Sequence, residues 1–298
     1  MSSFDLKRTP VYAESWNVAY RKKQAGEILR DTQTRFNIIK NSFRYWAADP
    51  FVFEHEGQTY IFAELYDYIL RRGVLGYCKI ENGRTSKWKP IIKEAYHLSY
   101  PCIMKCDGRI YIMPESGAGN ELSLYEAEDF PNKWKKKKVL RKNVSFADTT
   151  PLPISDARLA LTHRVDDPEK PQLVLADLDG KREDAVIADA EAFRSRPAGH
   201  IFEWQGQLVR PAQFSENCGD GYGKTLIFCR CSIDGDMKYT ETEIKELRPE
   251  QLKYDRFLLL DGMHTYNACE HYEVIDIKTR RFNLLNLFMR VAGKFIRR

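Results

Sequence analysis

Residues 49–64 read DPFVFEHEGQTYIFAE, and residues 100–115 read YPCIMKCDGRIYIMPE. Pro50 corresponds to Pro101, Gly57 to Gly108, Tyr60 to Tyr111 and Glu64 to Glu115, each pair 51 residues apart. In both stretches a polar or aromatic residue opens a short apolar run. A Gly-containing turn follows, and a second apolar run ends in Glu, which is the pattern of a β-hairpin. A third copy, DTTPLPISDARLALTH, starts at Asp148 and puts Asp156 at the turn. A fourth, GHIFEWQGQLVRPAQ, spans 199–213, with Gly206 at the turn and Gln213 in the place of Glu64. The most degenerate copy is HTYNACEHYEVIDIK, from His264.

Further strand-like pieces (VLGYCKI, LSLYEAE, QLVLADL, TLIFCRC) lie between the copies. Each unit is therefore about four strands in ~50 residues, the size of one propeller blade. The expected fold is all-β, a five-bladed β-propeller over 1–278. ESWNVAYR near the N-terminus supplies a strand to the last blade and removes the open edges. A sandwich would not explain the even spacing.

Residues 278–298 hold seven basic residues and no acidic one, in a chain of 298 residues with net charge +5. The remainder is slightly acidic, which argues against a nucleic-acid partner, since that function needs a basic face on the domain itself. On a helical wheel the polar residues of this tail share an arc of about 140°. A basic amphipathic helix is thus expected over 279–298, suited to an anionic membrane interface or to a protein partner. A second basic cluster, Lys133 and Lys135 to Lys138 with Arg141 and Lys142, adds to it or forms a solvated strand edge. No apolar run is long enough for a spanning helix, and no secretory signal opens the chain. The seven cysteines have no zinc spacing and read as reduced thiols. The expected location is cytoplasmic, peripheral on the inner membrane face.

Hairpin geometry places a set of chemistry-bearing residues together. In a hairpin turning near Gly57, Asp49 and Glu64 share the open end. By the repeat, so do Tyr100 with Glu115 and Asp148 with His163. With the first strand of each blade lining the channel, one mouth is ringed by Asp49, Glu64, Glu115, Asp148, His163, Arg164, His200, Gln213 and His264. Such acids, bases and donors suit a polyhydroxylated ligand. The Gly-rich segment CGDGYG (218–223) follows no strand into a helix, so it is a blade loop able to form a rim over the channel and not a nucleotide loop. No metal motif stands out and no cofactor is expected.

The stretches ADPFVFEHEGQTYIFAE, HLSYPCIMKCDGRIYIMPES, LYEAEDFPNKW, SRPAGHIFEWQGQLVRPAQ and GMHTYNACEHYEVID resemble the N-terminal propeller module of the glucosamine inositolphosphorylceramide transferases. The resemblance spans about 40 to 278. More distantly the blades are similar to the five-bladed glycoside hydrolases of arabinofuranosidase and β-xylosidase type. That likeness implies a general base at Asp49 and a pKa-tuning carboxylate at Asp148. It also implies an acidic Glu opening the fourth blade, but SRPAGH has none there, which argues against inverting hydrolysis with its two opposed carboxyl groups. Glu115, from the second blade, is the candidate substitute.

Three functions fit these residues. A glycosyltransferase of cell-surface polysaccharide or glycolipid assembly would use Asp49 as base, with Glu115 or Asp148 orienting it. Tyr100 and the ring's other polar residues would hold the substrate, and Arg164, Arg196 or Arg210 would hold the phosphates of an activated donor. Its partners would be that donor and a glycan or lipid-linked acceptor. The alternatives are a furanoside-type glycoside hydrolase and a glycan-binding or scaffolding propeller without catalysis.

Overall fold

The computed structural model describes residues 12–23, 26–153, 158–164, 172–187, 194–216, 221–233 and 238–282. They form five antiparallel sheets, and among them helix occurs only as short 3-10 turns. Blade one is built from Tyr45–His55, Gln58–Asp67 and Arg72–Glu81, with Arg84–Thr85 and Lys89–Ile92 outermost. Blade two runs Ser99–Cys106, Arg109–Glu115, Glu121–Asp129, Lys133–Lys142, and blade three Phe146–Pro151, Leu159–Arg164, Gln172–Asp177, Ala185–Val186. In blade four the inner Arg196–Pro197 and Phe202–Trp204 pair with Gln207–Glu216, followed by Gly221–Ile233 and Tyr239–Leu247. In blade five the inner Leu260–Gly262 and Tyr266–Ala268 pair with Tyr272–Phe282.

The N-terminal strand Tyr12–Lys22 closes the ring as the repeat requires. It pairs with Tyr272–Phe282 along its whole length, from Tyr12 opposite Phe282 to Lys22 opposite Tyr272. Closure by the first strand onto the last covers an edge that would otherwise pair with another chain. This register corrects the start of the expected C-terminal helix: Thr279 to Phe282 are strand, opposite Ser15 to Tyr12. The remainder of that segment, 283–298, lies outside the described residues.

Apolar alternation along the strands fills the wedges between blades. Ile61, Leu65 and Val74 pack against Val18 and Val274 between blades five and one. Phe51, Phe62 and Leu75 pack against Cys102, Ile103 and Ile112 between blades one and two. Met113 meets Phe146 and Val174; Leu161 and Leu175 meet Ile201 and Cys231; Phe228 meets Tyr266 and Ile275. Each neighbouring pair of blades thus has its own buried cluster. The FP-x-x-W segment serves the second wedge, where Phe130 and Trp134 stand edge-on to the blade-one rings of Tyr60 and Phe62.

The innermost strands are stitched to one another around the axis. Gly199 N–H donates to the Tyr100 hydroxyl (2.6 Å), and that hydroxyl also meets Thr150 Oγ1 (2.7 Å). Tyr266 N–H donates to Ala198 O, and Asn267 Nδ2 donates to Pro50 O. At the outside, the Lys-rich strand Lys133–Lys142 is a solvated edge that carries several ion pairs. Lys137 pairs with Glu126 and Lys136 with Glu121, both at 2.8 Å, and Arg141 with Asp184 at 2.8 Å.

Candidate active site

Three non-glycine residues at equivalent places on the inner strands have left-handed backbones: Asp49 (φ 50°), Tyr100 (φ 46°) and Asp148 (φ 53°). Each sits in a β-bulge, where the pairing skips between Ala48 and Phe51, Ser99 and Cys102, and Ala147 and Thr150. Asp tolerates this conformation; a buried Tyr does so at a cost of about 1–3 kcal/mol. The twist turns each bulge N–H onto a neighbouring carboxylate. Asp49 N–H donates to Asp276 Oδ2 (2.9 Å), Tyr100 N–H to Asp49 Oδ2 (3.2 Å), and Asp148 N–H to Glu115 Oε2 (3.3 Å). The repeat first seen as sequence is therefore a repeated device that aims carboxylates at one end of the channel.

Two half-sites result. In the first, Asp49 Oδ1 accepts from Thr265 Oγ1 (3.0 Å), with His264 Nε2 3.8 Å away. His264 Nδ1 lies 2.7 Å from Asp276 Oδ2, and its ring stacks on Trp16 with centroids 3.9 Å apart. In the second, Asp148 Oδ2 accepts from Arg196 Nε (2.7 Å) and Gln213 Nε2 (2.9 Å), while the same guanidinium reaches toward Glu115 Oε2 (3.5 Å). Tyr222 joins the halves: Arg196 lies over its ring at 5.1 Å, and the ring meets His264 edge-on at 5.4 Å.

Carboxylates outnumber cations here, and all but Glu115 are buried. Burial is the main force raising the Asp49 carboxyl to about 6; His264 opposes it, and Asp148 and Asp276 add to it. Burial also raises Asp148, to about 7, against the pull of Arg196 and with the help of Glu115. Glu64 is raised well above the carboxylate range by burial and by Asp49 and its neighbours. For His264, burial works downward, yet Asp276, Asp49 and Asp148 together raise it and favour the imidazolium. Two carboxyl groups that exchange protons near neutrality, a guanidinium and an imidazolium are the equipment of general acid–base chemistry on hydroxyl groups. Asp49, His264 and Asp276 also bring their ligand atoms within 4.8 Å of one another, an imidazole and two carboxylates able to hold a divalent cation.

Of the residues picked from the sequence, Asp49, Glu64, Glu115, Asp148, Arg196, Gln213 and His264 converge on this mouth. Others do not. The Tyr100 hydroxyl is fully engaged by Thr150 and Gly199, so this buried side chain knits blades together and has nothing left for a ligand. Arg210 is buried in a fork with Glu241 (2.7 and 2.8 Å) and caps Arg194 O. Arg164 is drawn to Asp184, 3.6 Å away and shared with Arg141. His200 stands edge-on to Phe51 and contacts Ile103 O (3.0 Å), and burial lowers it to about 4. His163 flanks the mouth beside Ser195 Oγ (3.0 Å); burial and then Arg196 lower it to about 3, so it is a neutral ring.

The sequence reading passed over Asp276, Thr265, Trp16 and Tyr222. Asp276 carried a signal, a lone acid inside the apolar run EVIDI. Tyr222 belongs to the expected rim loop, of which residues 218–220 lie outside the described residues. An open cavity of about 660 Å³ lies at the other end of the hairpins, lined by Glu54, His55, Gly57 and His271. It holds hairpin turns and surface groups and none of the raised carboxyls, so the chemistry belongs to the mouth.

The family model described as glucosamine inositolphosphorylceramide transferase 1, N-terminal, matches residues 4–156. Among curated proteins, the Arabidopsis thaliana glucosamine inositolphosphorylceramide transferase 1 is 27% identical over 251 residues, covering 79% of this chain and 31% of the relative. The Oryza sativa subsp. indica protein of the same name is 25% identical over 249 residues, covering 77% of this chain and 31% of its own. The chain thus spans about a third of the length of these relatives. Among solved structures, the catalytic domain of the Coprinopsis cinerea GH62 α-L-arabinofuranosidase superposes with TM-score 0.56 at 12% identity, covering 88% of this chain and 97% of that one. The RS223 β-xylosidase superposes with TM-score 0.52 at 10% identity, covering 79% and 92%. These two likenesses establish the shared propeller fold.

Proposed function

Because the chain belongs to the family described as glucosamine inositolphosphorylceramide transferase 1, N-terminal, we propose that its mouth catalyses transfer of a sugar onto a hydroxyl of a glycan or glycolipid acceptor. The observation that carries this reading is the paired half-sites. Asp49 and Asp148 are both buried carboxyls raised to near neutrality, and blade four adds Arg196 and Gln213 beside Asp148. In the proposed step Asp49 takes the proton of the acceptor hydroxyl. The acceptor oxygen bonds to the anomeric carbon of the donor, and the donor's leaving group departs with the electron pair of the broken bond. Positive charge on the ring in the transition state is stabilised by the surrounding carboxylates. Arg196 is the arginine placed to meet a leaving phosphate, through the guanidinium edges that Asp148 does not occupy.

Hydrolysis is the second reading. It is supported by the fold shared with arabinofuranosidases, in which water would replace the acceptor. Against it stands the arginine on blade four beside Asp148, where the resemblance called for an acidic Glu. The free thiols among the described residues fit a reducing compartment, and we place the protein at the cytoplasmic side of a membrane.

The test is made in the producing cell. Its surface glycans and glycolipids are analysed by mass spectrometry after deletion of the protein and after Asp49→Asn. Truncation at one sugar in both strains, with the variant folded, is the expected result. A deletion phenotype that Asp49→Asn does not copy would instead make the propeller a binding partner of another enzyme. Release of free sugar from aryl furanosides by the purified protein would favour hydrolysis.

A further inference from the structure

Seven large hydrophobic side chains are exposed among the described residues; four lie on or beside the turn that ends blade one's second strand, and two lie on the segment leading into blade five. Phe43 is 90% exposed and Ile69 72%, with Tyr68 and Leu70 beside them at the top of blade one. Phe257 is 87% exposed, and Leu259 adjoins Arg280 where blade five begins. The seventh, Val186, lies on the outer strand of blade three. Blades five and one are neighbours, and residues 39–44 cross from one to the other: Ile39 N–H donates to Val18 O, and Asn41 Nδ2 to Trp16 O. The patch is therefore concentrated on the side that carries Asp49, His264 and Asp276.

The blade-one tip is held outward. Buried Asp67 accepts the backbone N–H groups of Ile69 (2.9 Å) and Leu70 (3.1 Å) with one oxygen, and pairs with Arg44 through the other (2.7 Å). Tyr68 N–H donates to Arg44 O, tying the tip to the segment that carries Phe43. A turn so restrained presents Ile69 and Leu70 to solvent as its stable arrangement, where they gain nothing from water. Cationic side chains flank the apolar ones: Lys40 and Arg71 are exposed, and Arg44 and Arg256 are half-exposed beside Asp67 and Asp255. Besides Asp67 and Asp255, this rim carries Glu14 and Asp261, which face Lys278 and Arg280. The first described residue of the N-terminal strand, Tyr12, and the last of the strand it closes on, Phe282, pair with each other on this side. The sequence that follows, NLLNLFMRVAGKFIRR, has four basic residues, no acidic ones and eight large apolar ones. Apolar groups edged by cations match the chemistry of an anionic lipid interface.

We propose that the blade-five and blade-one side of the mouth rim, with Phe43, Ile69, Leu70 and Phe257 as its apolar anchors, docks on an anionic lipid surface so that the carboxylate-lined mouth opens onto the headgroup layer. A lipid-linked acceptor would then reach Asp49 without leaving the bilayer, a consequence that rests on the transferase reading. The docking itself does not, because its measurement reads no sugar product.

The experiment is flotation of the full chain with vesicles of phosphatidylcholine alone and with about a third phosphatidylglycerol, at about 0.1 M and 0.5 M salt. The expected result is binding to the anionic vesicles, weakened by salt. The triple variant Phe43→Ser, Ile69→Ser, Leu70→Ser should bind at least about tenfold more weakly, with an unchanged melting transition. A chain ending at Phe282 should keep part of the binding, and adding the triple variant should abolish that part. Lack of binding to either vesicle overturns the proposal. So does binding that the triple variant leaves intact, which would assign it to the tail alone. Sedimentation showing a dimer that the triple variant dissolves also overturns it, since a second copy would then cover the patch.

Discussion

Blade four buries an ion cluster at Arg210, and the channel mouth buries another at Asp49 and Asp148; the two are built to opposite rules. At Arg210 each charge is matched. The guanidinium meets both oxygens of Glu241, Tyr239 donates to the same carboxylate, and Arg194 lies 3.4 Å away. Burial works against the Glu241 charge, but Arg210 and these donors hold the carboxyl below its ordinary value. At the mouth five carboxyl groups face Arg196 and His264, and burial holds Asp49, Glu64 and Asp148 above theirs. The first cluster keeps its charges in one state across the physiological range. The second is poised to gain and lose protons. Burial of charge alone therefore does not mark a site; burial with mismatched charge does.

The contrast can be broken most forcefully at Arg210. Arg210→Met leaves Glu241 buried with its main partner gone, and the expected loss is about 3–5 kcal/mol of stability, read by urea unfolding. The double variant Arg210→Met, Glu241→Leu should regain most of it. A small effect of the single change would mean that the cluster is not the matched pair described.

Arg196→Gln should act differently. It removes the cation that holds Asp148 down, so the Asp148 carboxyl rises by about 1–3 pH units. The corresponding limb of the activity–pH profile should move upward with it, while the melting temperature changes little. Arg196→Lys, which keeps the charge without the fork, should shift the limb less. An unmoved limb would detach Asp148 from the reaction.

The smallest effect is expected at Glu64, whose Oε1 has no hydrogen-bond partner, with His97 Nε2 3.4 Å away. Its pKa is raised in the fold, so the folded chain binds the extra proton. That contribution is complete below about pH 4 and is lost as the pH rises through the folded value. Glu64→Gln should therefore stabilise the protein by about 1 kcal/mol at pH 8, and the gain should vanish on acidification toward pH 4. A gain independent of pH would show that charge is not the cause.

Much of the fold was legible because a hairpin is a local object. Gly57 and Gly108 mark turns, apolar alternation marks strands, and even spacing marks blades. The same regularity placed Asp49, Asp148 and Gln213 at equivalent ends of their hairpins. Blade five was the hardest to read. Its inner strand is broken into Leu260–Gly262 and Tyr266–Ala268, the first with a register shift at Asp261, and the acid that completes the first half-site, Asp276, comes from the next strand. The helix expected from residue 279 began too early because residues 279–282 also suit a strand, and pairing with Tyr12 to Ser15 decided between them.

The sequence by itself determined the five-blade count, the closure by ESWNVAYR and the end of the channel at which the acids gather. These follow from periodicity and turn chemistry, which act over a few residues. It could not distinguish Arg196 from Arg210 or Arg164. All three are arginines on blade strands, and only the assembled ring decides that one reaches the mouth while Arg210 is bound by Glu241 and Arg164 is drawn to Asp184. Nor could it show that Asp49 and Asp148 titrate near neutrality. A carboxyl pKa depends on the water removed and the charges brought within a few ångströms by other blades, so it has no value until the tertiary structure exists.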